Sequence, residues 1–121
     1  MLRTATGPVK PDIQRAVEEL LRENSNFDRS ENRSAIRDSL VRPVIIEYRD
    51  SEETVAAFSR NISATGIGLI TNEPVTNKKV AVIRVNRLHG TDVSILAECR
   101  WCKAYGEEWY FSGWQFISLK R

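Results

Sequence analysis

Metal ligands and redox groups are scarce in this sequence, which has two cysteines and one histidine among its 121 residues. A structural zinc ion takes about four ligands, so one histidine and a single cysteine pair fall short, and no metal or cofactor is expected. Cys99 and Cys102 stand as Cys-Arg-Trp-Cys, the spacing of a redox pair. In an alternating strand, however, residues three apart point to opposite faces, so the expectation is two diverging, buried thiols. The lone histidine, His89, lies in a loop beside Gly90 with no nucleophile next to it. Glu52 and Glu53 belong to a turn, and no glycine-rich loop carries the lysine and hydroxyl of a P-loop. No nucleophile, base or metal cluster can be assembled, which makes an enzyme the least supported reading.

Long apolar runs are missing too. None approaches the roughly 20 residues that span a bilayer, and the amino-terminal stretch MLRTATGPVKP has no apolar signal core. The expectation is a cytoplasmic protein without direct membrane insertion. Charge of one sign is also lacking: 18 basic residues against 16 acidic ones leave a formal charge of +2, far from the basic balance of a protein that binds polymeric nucleic acid. A small RNA-binding barrel would need a broad basic surface and exposed aromatics, whereas acidic residues are interspersed here.

What is present is a composition of 41% hydrophobic and 28% charged residues, ordinary for a globular chain. A chain of this size buries roughly two thirds of its unfolded surface and needs no staples. Ile13, Val17, Leu20 and Leu21 recur at helical spacing, which predicts one helix over Pro11–Glu23, with Pro11 and Asp12 suited to its first turn. It would be marginal alone, so its apolar stripe must cover one end of the domain or meet a partner. The polar stretch from Glu23 to Asp38 reads as a linker that orders on demand. From Arg42 the period shortens to two, and strands are predicted over Arg42–Arg49, Thr54–Ile62, Gly66–Thr71, Lys79–Arg87, Asp92–Ala104 and Glu108–Ile117. Closing such short strands into a barrel removes their edges, so the fold class expected is all-β: a small six-stranded antiparallel barrel with an added amino-terminal helix. Residues 1–31 are read as the helix and flexible linker, and residues 32–121 as the barrel domain. Trp109, Phe111 and Trp114 are expected to pack in the core or a lid, with ligand stacking or partner contact as the alternative.

Two segments carry chemistry. Arginine outnumbers lysine 13 to 5, and a planar fork of donors suits phosphate and purine edges. Arg33 and Arg37 stand as Arg-Ser-Ala-Ile-Arg in the linker, where paired guanidiniums could grip a dianion or form a solvated surface; Arg29 adds a third. Arg42, next to Pro43, more simply begins the barrel wall. The second segment is Asn61-Ile-Ser-Ala-Thr-Gly66, at the end of a predicted strand. Asn61 and Ser63 could hold the turn or present donors and acceptors to a base edge, and Gly66 permits a conformation or close approach denied to larger residues.

Together these segments resemble the PilZ domain family, bacterial receptors for cyclic di-GMP. Arg33-Ser-Ala-Ile-Arg37 matches the family's arginine, three-residue spacer, arginine motif. Asn61-Ile-Ser63-Ala-Thr-Gly66 matches its Asp or Asn, any residue, Ser, two residues, Gly motif. The resemblance runs from about Asn32 through Cys99-Arg-Trp101 to Gly113-Trp-Gln-Phe116. It implies a six-stranded PilZ-type barrel. It also implies that Arg33 and Arg37 grip phosphates and guanine edges, that Asn61 and Ser63 recognise guanine, and that Gly66 keeps the turn tight, with Arg29 and Arg60 as auxiliary contacts. Asn32 stands where many relatives carry a further arginine, and the helix lies outside the usual core. The implied partners are cyclic di-GMP and a protein effector, the chain acting as monomer or dimer. The competing reading is a PilZ-like interaction module that binds only a protein, such as a motility, secretion or polysaccharide-synthesis component.

Overall fold

The computed structural model describes residues 9–24 and 38–120. Helix α1 spans Pro11–Asn24, and seven strands follow: β1 (Asp38–Ser39), β2 (Pro43–Tyr48), β3 (Thr54–Ile62), β4 (Gly66–Thr71), β5 (Val80–Val85), β6 (Val93–Ala104) and β7 (Tyr110–Lys120). Every pairing is antiparallel. The strands run β3–β2–β5–β6–β7–β4, and β4 pairs back onto β3, so six of them close into a barrel while the two-residue β1 flanks β3. The expected six-stranded barrel with one helix is the architecture found. The last strand reaches Lys120 rather than ending at Ile117.

The barrel closes because each strand offers one apolar face. Val44 and Ile46 of β2, Ile67 and Leu69 of β4, Ile83 and Val85 of β5, and Ile95, Ala97 and Cys99 of β6 are all buried with Trp114 of β7. The helix completes this interior. Ile13, Val17 and Leu20, spaced three to four apart, are at most 3% exposed and belong to the same apolar cluster as the barrel residues. Each such side chain is worth about 1.5–3 kcal/mol when buried, which supports a 14-residue helix that would be marginal alone. The side-chain carboxylate of Asp12 accepts the amide N–H of Ile13 (2.7 Å), satisfying one free donor of the first turn.

The far end of α1 is tied down electrostatically. Glu23 accepts hydrogen bonds from Arg87 Nε (3.1 Å) and from the backbone N–H groups of Leu88 (3.2 Å) and His89 (3.4 Å), all in the loop between β5 and β6. Arg87 also reaches Glu19, one turn earlier (3.3 Å). Arg42, buried just before β2, brings its guanidinium to 4.0 Å from the same Glu23 carboxylate. The backbone N–H of Arg42 donates to Ser59 Oγ (2.9 Å), which in turn donates to the carbonyl of Leu40 (2.6 Å). The chain is thus fixed to β3 as it enters the barrel.

Two sequence-based expectations are corrected. Cys99 and Cys102 do not diverge. A bulge in β6 between Cys99 and Trp101 inserts Arg100, so that Cys99 pairs with Trp114 and Cys102 with Ser112, all on the inner face. Both thiols are free. Burial pushes the Cys99 thiol up to about 12, with neighbouring Cys102 adding to the rise, so it stays protonated and unreactive at neutral pH. Trp109 is not a core residue either: it is 44% exposed. The turn before it holds Gly106 and Glu108 at positive φ, strand pairing resumes only at Tyr110, opposite Ala104 and Thr71, and alternation back from inward Trp114 and Ser112 turns Phe111 and Trp109 to the outer face, with Phe111 outside the barrel's apolar cluster.

Candidate functional site

Two of the three register shifts among the described strands build the outer face on which the candidate residues lie. In β3 the register slips between Ser59 and Asn61. Ser59 and Ile62 point inward and are buried, while Arg60 and Asn61 both turn outward, Asn61 opposite Gly68 of β4. Strict alternation would have put Asn61 on the inner face with Ser59. The bulge in β6 does the same for Arg100 and Trp101.

Between the bulges the strands carry glycine. Asn61 pairs with Gly68, Gly68 with Gly113 of β7, and Gly113 with Trp101, one row across four strands. A Cβ on Gly68 would stand 2.6 Å from Asn61 Oδ1 and 2.8 Å from the Phe111 ring, and one on Gly113 would overlap the indole of Trp101. These glycines therefore provide close approach, letting two rings pack directly against the sheet backbone. Trp101 and Phe111 meet edge to face at 5.1 Å, and Tyr105 adds a third ring 5.6 Å from Phe111. The Arg60 guanidinium sits 5.3 Å over Phe111, and Lys103 Nζ sits 5.7 Å from the Trp101 ring centre. The result is an aromatic floor with cations above it and an amide at its edge, a surface suited to a flat, anionic, hydrogen-bonding ligand. Gly113→Ala is expected to lift the indole off β7 and destabilise the domain by about 1–3 kcal/mol, the usual result of overpacking. Tryptophan fluorescence and a thermal melt would show both effects.

Ser63 lies one residue beyond β3 and is buried. Its N–H donates to the carbonyl of Gly66 (2.8 Å), and its hydroxyl accepts the N–H of Thr65 (3.3 Å), so it holds the turn that places Asn61. Gly66 starts β4 opposite Gln115. The described glycines with positive φ are Gly90 and Gly106, so Gly66 is not there for a left-handed backbone. Arg29, Arg33 and Arg37 lie outside the described residues. The description resumes at Asp38, which pairs with Ile62, and Ser39, which pairs with Asn61. The residue that follows Arg37 is therefore docked against the strand end that carries the candidate amide.

Sequence reasoning passed over Gly68 and, while it offered Phe111 a stacking alternative, did not bring Trp101 and Phe111 together. The signal available for them was weak: a second glycine in Gly-Ile-Gly and a tryptophan in an otherwise alternating strand. Among the described residues, no group of three His, Cys, Asp or Glu side chains could hold a metal ion, and no helix is long and apolar enough to cross a membrane.

A family model for the PilZ domain matches residues 28–121. This chain belongs to the PilZ domain family. The match takes in the arginine segment, the Asn61–Gly66 turn and the whole barrel, leaving all of α1 outside. The search of curated proteins found no match.

Proposed function

We propose that this PilZ domain is a cytoplasmic receptor for cyclic di-GMP that holds the dinucleotide between its arginine segment and the outer face of β3, β4, β7 and β6. The observation that carries the reading is the outward turn of Arg60 and Asn61 by the β3 bulge, beside a glycine-supported aromatic floor and next to the docked residue that follows Arg37. Asn61 both donates and accepts, as a guanine edge requires. Arg60 supplies charge above the rings, and Arg33 and Arg37, with Arg29 assisting, answer the two phosphodiesters. Ser63 and Gly66 serve by holding the turn. No step of covalent chemistry is called for, and the chain acts by contact with a protein effector.

The two anchors give this binding an output. Residues 25–37 join the Glu23 latch to the β1 docking point, so closing the arginines over a ligand draws on the latch and on α1. Fixing arginine side chains on a ligand costs conformational entropy, and part of their binding energy offsets it. A micromolar site needs a net of about −8 kcal/mol, within reach of several charge-assisted bonds at about 1.5–3 kcal/mol each.

Isothermal titration calorimetry with cyclic di-GMP tests the reading. The expected result is saturable micromolar binding that weakens at least about tenfold in Arg37→Ala, the loss of one charge-assisted contact, with the fold retained by circular dichroism. Folded wild-type protein that binds nothing up to about 100 μM, weaker than a useful signalling site, would refute it and leave the barrel as a protein-interaction module.

A further inference from the structure

The first half of β3 has a strand partner on one side only. Thr54–Phe58 pair with β2, but β4 joins β3 only from Phe58 onward. Tyr48 N–H donates to the Glu53 carbonyl and Ser59 N–H to the Arg42 carbonyl, so the odd-numbered backbone groups of β3 face β2. Alternation then turns the N–H and C=O groups of Thr54 and Ala56 to the other side, where no described strand meets them. The chain that could have met them is led away after Thr71, whose hydroxyl donates to the Glu73 carbonyl (2.6 Å) just before Pro74.

The opening left behind is a groove of about 370 Å³ between Glu53 with Thr54–Phe58 of β3 on one side and Ile70, Asn72, Glu73 and Trp109 on the other. Phe58 and Trp109 stand 51% and 44% exposed along it, while the charged residues lining it are Glu53 and Glu73. Exposed edges are commonly blunted with lysine or proline. This one reads Thr-Val-Ala-Ala-Phe and has neither.

We propose that this groove receives an extended segment of a partner protein as an added antiparallel strand, one with alternating apolar and basic residues. The unpaired groups of Thr54 and Ala56 supply the ladder. Phe58, Ile70 and Trp109 take the apolar side chains on the outer face, and Glu53 with Glu73 select lysine or arginine. A second copy of this chain fits less well, because pairing the same edge with itself brings two acidic rims together. The groove lies at the opposite end of β3 from Asn61, so partner and nucleotide would share one strand without competing for one surface.

The test uses the full chain and a fluorescent peptide of about eight residues alternating valine and lysine, enough to span Thr54–Phe58 at roughly 3.3 Å per residue. The expected result is saturable binding by anisotropy, with amide exchange at Thr54 and Ala56 slowed at least about tenfold. The same peptide N-methylated at alternate amides, and a valine–glutamate version, should not bind. A Glu53→Lys, Glu73→Lys double variant, altered only at exposed positions, should weaken binding about tenfold; if it does not fold, the three peptides decide the matter without it. Equal binding of the N-methylated peptide, or unchanged exchange at Thr54 and Ala56, would overturn the proposal. So would slowed exchange on raising the protein concentration without peptide, which would assign the edge to a second copy.

Discussion

Trp114→Ala is expected to destabilise the protein by about 3–5 kcal/mol, the range for emptying a large aromatic site in a core that cannot fully collapse. Trp114 is fully buried, and its indole N–H donates to Ser112 Oγ (2.9 Å) within the barrel, so truncation removes ring contacts and a buried hydrogen bond together. Small domains have only about 5–15 kcal/mol of stability in all. At roughly 3–6 °C per kcal/mol for a domain of this size, the melting temperature should fall by on the order of 10–30 °C. Trp109→Ala is the matched control: the same truncation at an exposed turn should cost under about 1 kcal/mol. Thermal denaturation followed by far-UV circular dichroism checks both, and equal losses would contradict the placement of the two rings.

Removal of the Glu23 carboxylate comes next in size. Its side chain is only 10% exposed and accepts from Arg87, Leu88 and His89. Glu23→Ala therefore leaves two loop amides without their acceptor and the largely buried Arg87 guanidinium with Glu19 alone. Hydrogen bonds to a charged group contribute about 1.5–3 kcal/mol each, but they do not add, and Arg87 keeps some access to water. A loss of about 2–3 kcal/mol is expected in urea unfolding, against under about 1 kcal/mol for the more exposed Glu19→Ala. The same contact sets a pH dependence. Burial alone would raise the Glu23 pKa, but the N–H donors of Leu88 and His89 and the Arg87 guanidinium outweigh it and hold the group below its ordinary 4.5. A depressed pKa means that the unfolded state takes up the proton first as pH falls. The contribution is therefore fully present above about pH 4.5 and is lost below it as pH falls through the folded value. Wild type should lose more stability than Glu23→Gln between neutral pH and about pH 3. Parallel pH profiles for the two proteins would remove the latch from the account.

These contacts also give α1 a place that its sequence left undecided. An amphipathic helix with Val17, Leu20 and Leu21 on one face could equally have met a partner. The structure puts Val17 and Leu20 inside the barrel cluster, with Leu21 packed against it, because the open end of a six-stranded barrel needs an apolar cap. Any movement of α1 must therefore break these apolar contacts and the Glu23 latch.

The sequence by itself determined the helix, the six barrel strands and most of the core, because apolar residues at spacings of three to four and of two are local signals that need no knowledge of the rest of the chain. It also carried the Asn61–Gly66 motif and the family that the motif belongs to. Tertiary structure alone decided which way the candidate residues face. Arg60 and Arg100 are bulge residues only because β3 and β6 must stay in register with neighbours distant in the chain. Those single insertions turn Asn61 and Trp101 outward and bring Cys99 and Cys102 to one face. Likewise, Gly68 and Gly113 read as isolated glycines until barrel closure sets them side by side beneath the rings of Phe111 and Trp101. A one-residue slip reverses the face of every side chain beyond it, and local periodicity cannot register a slip that long-range pairing imposes.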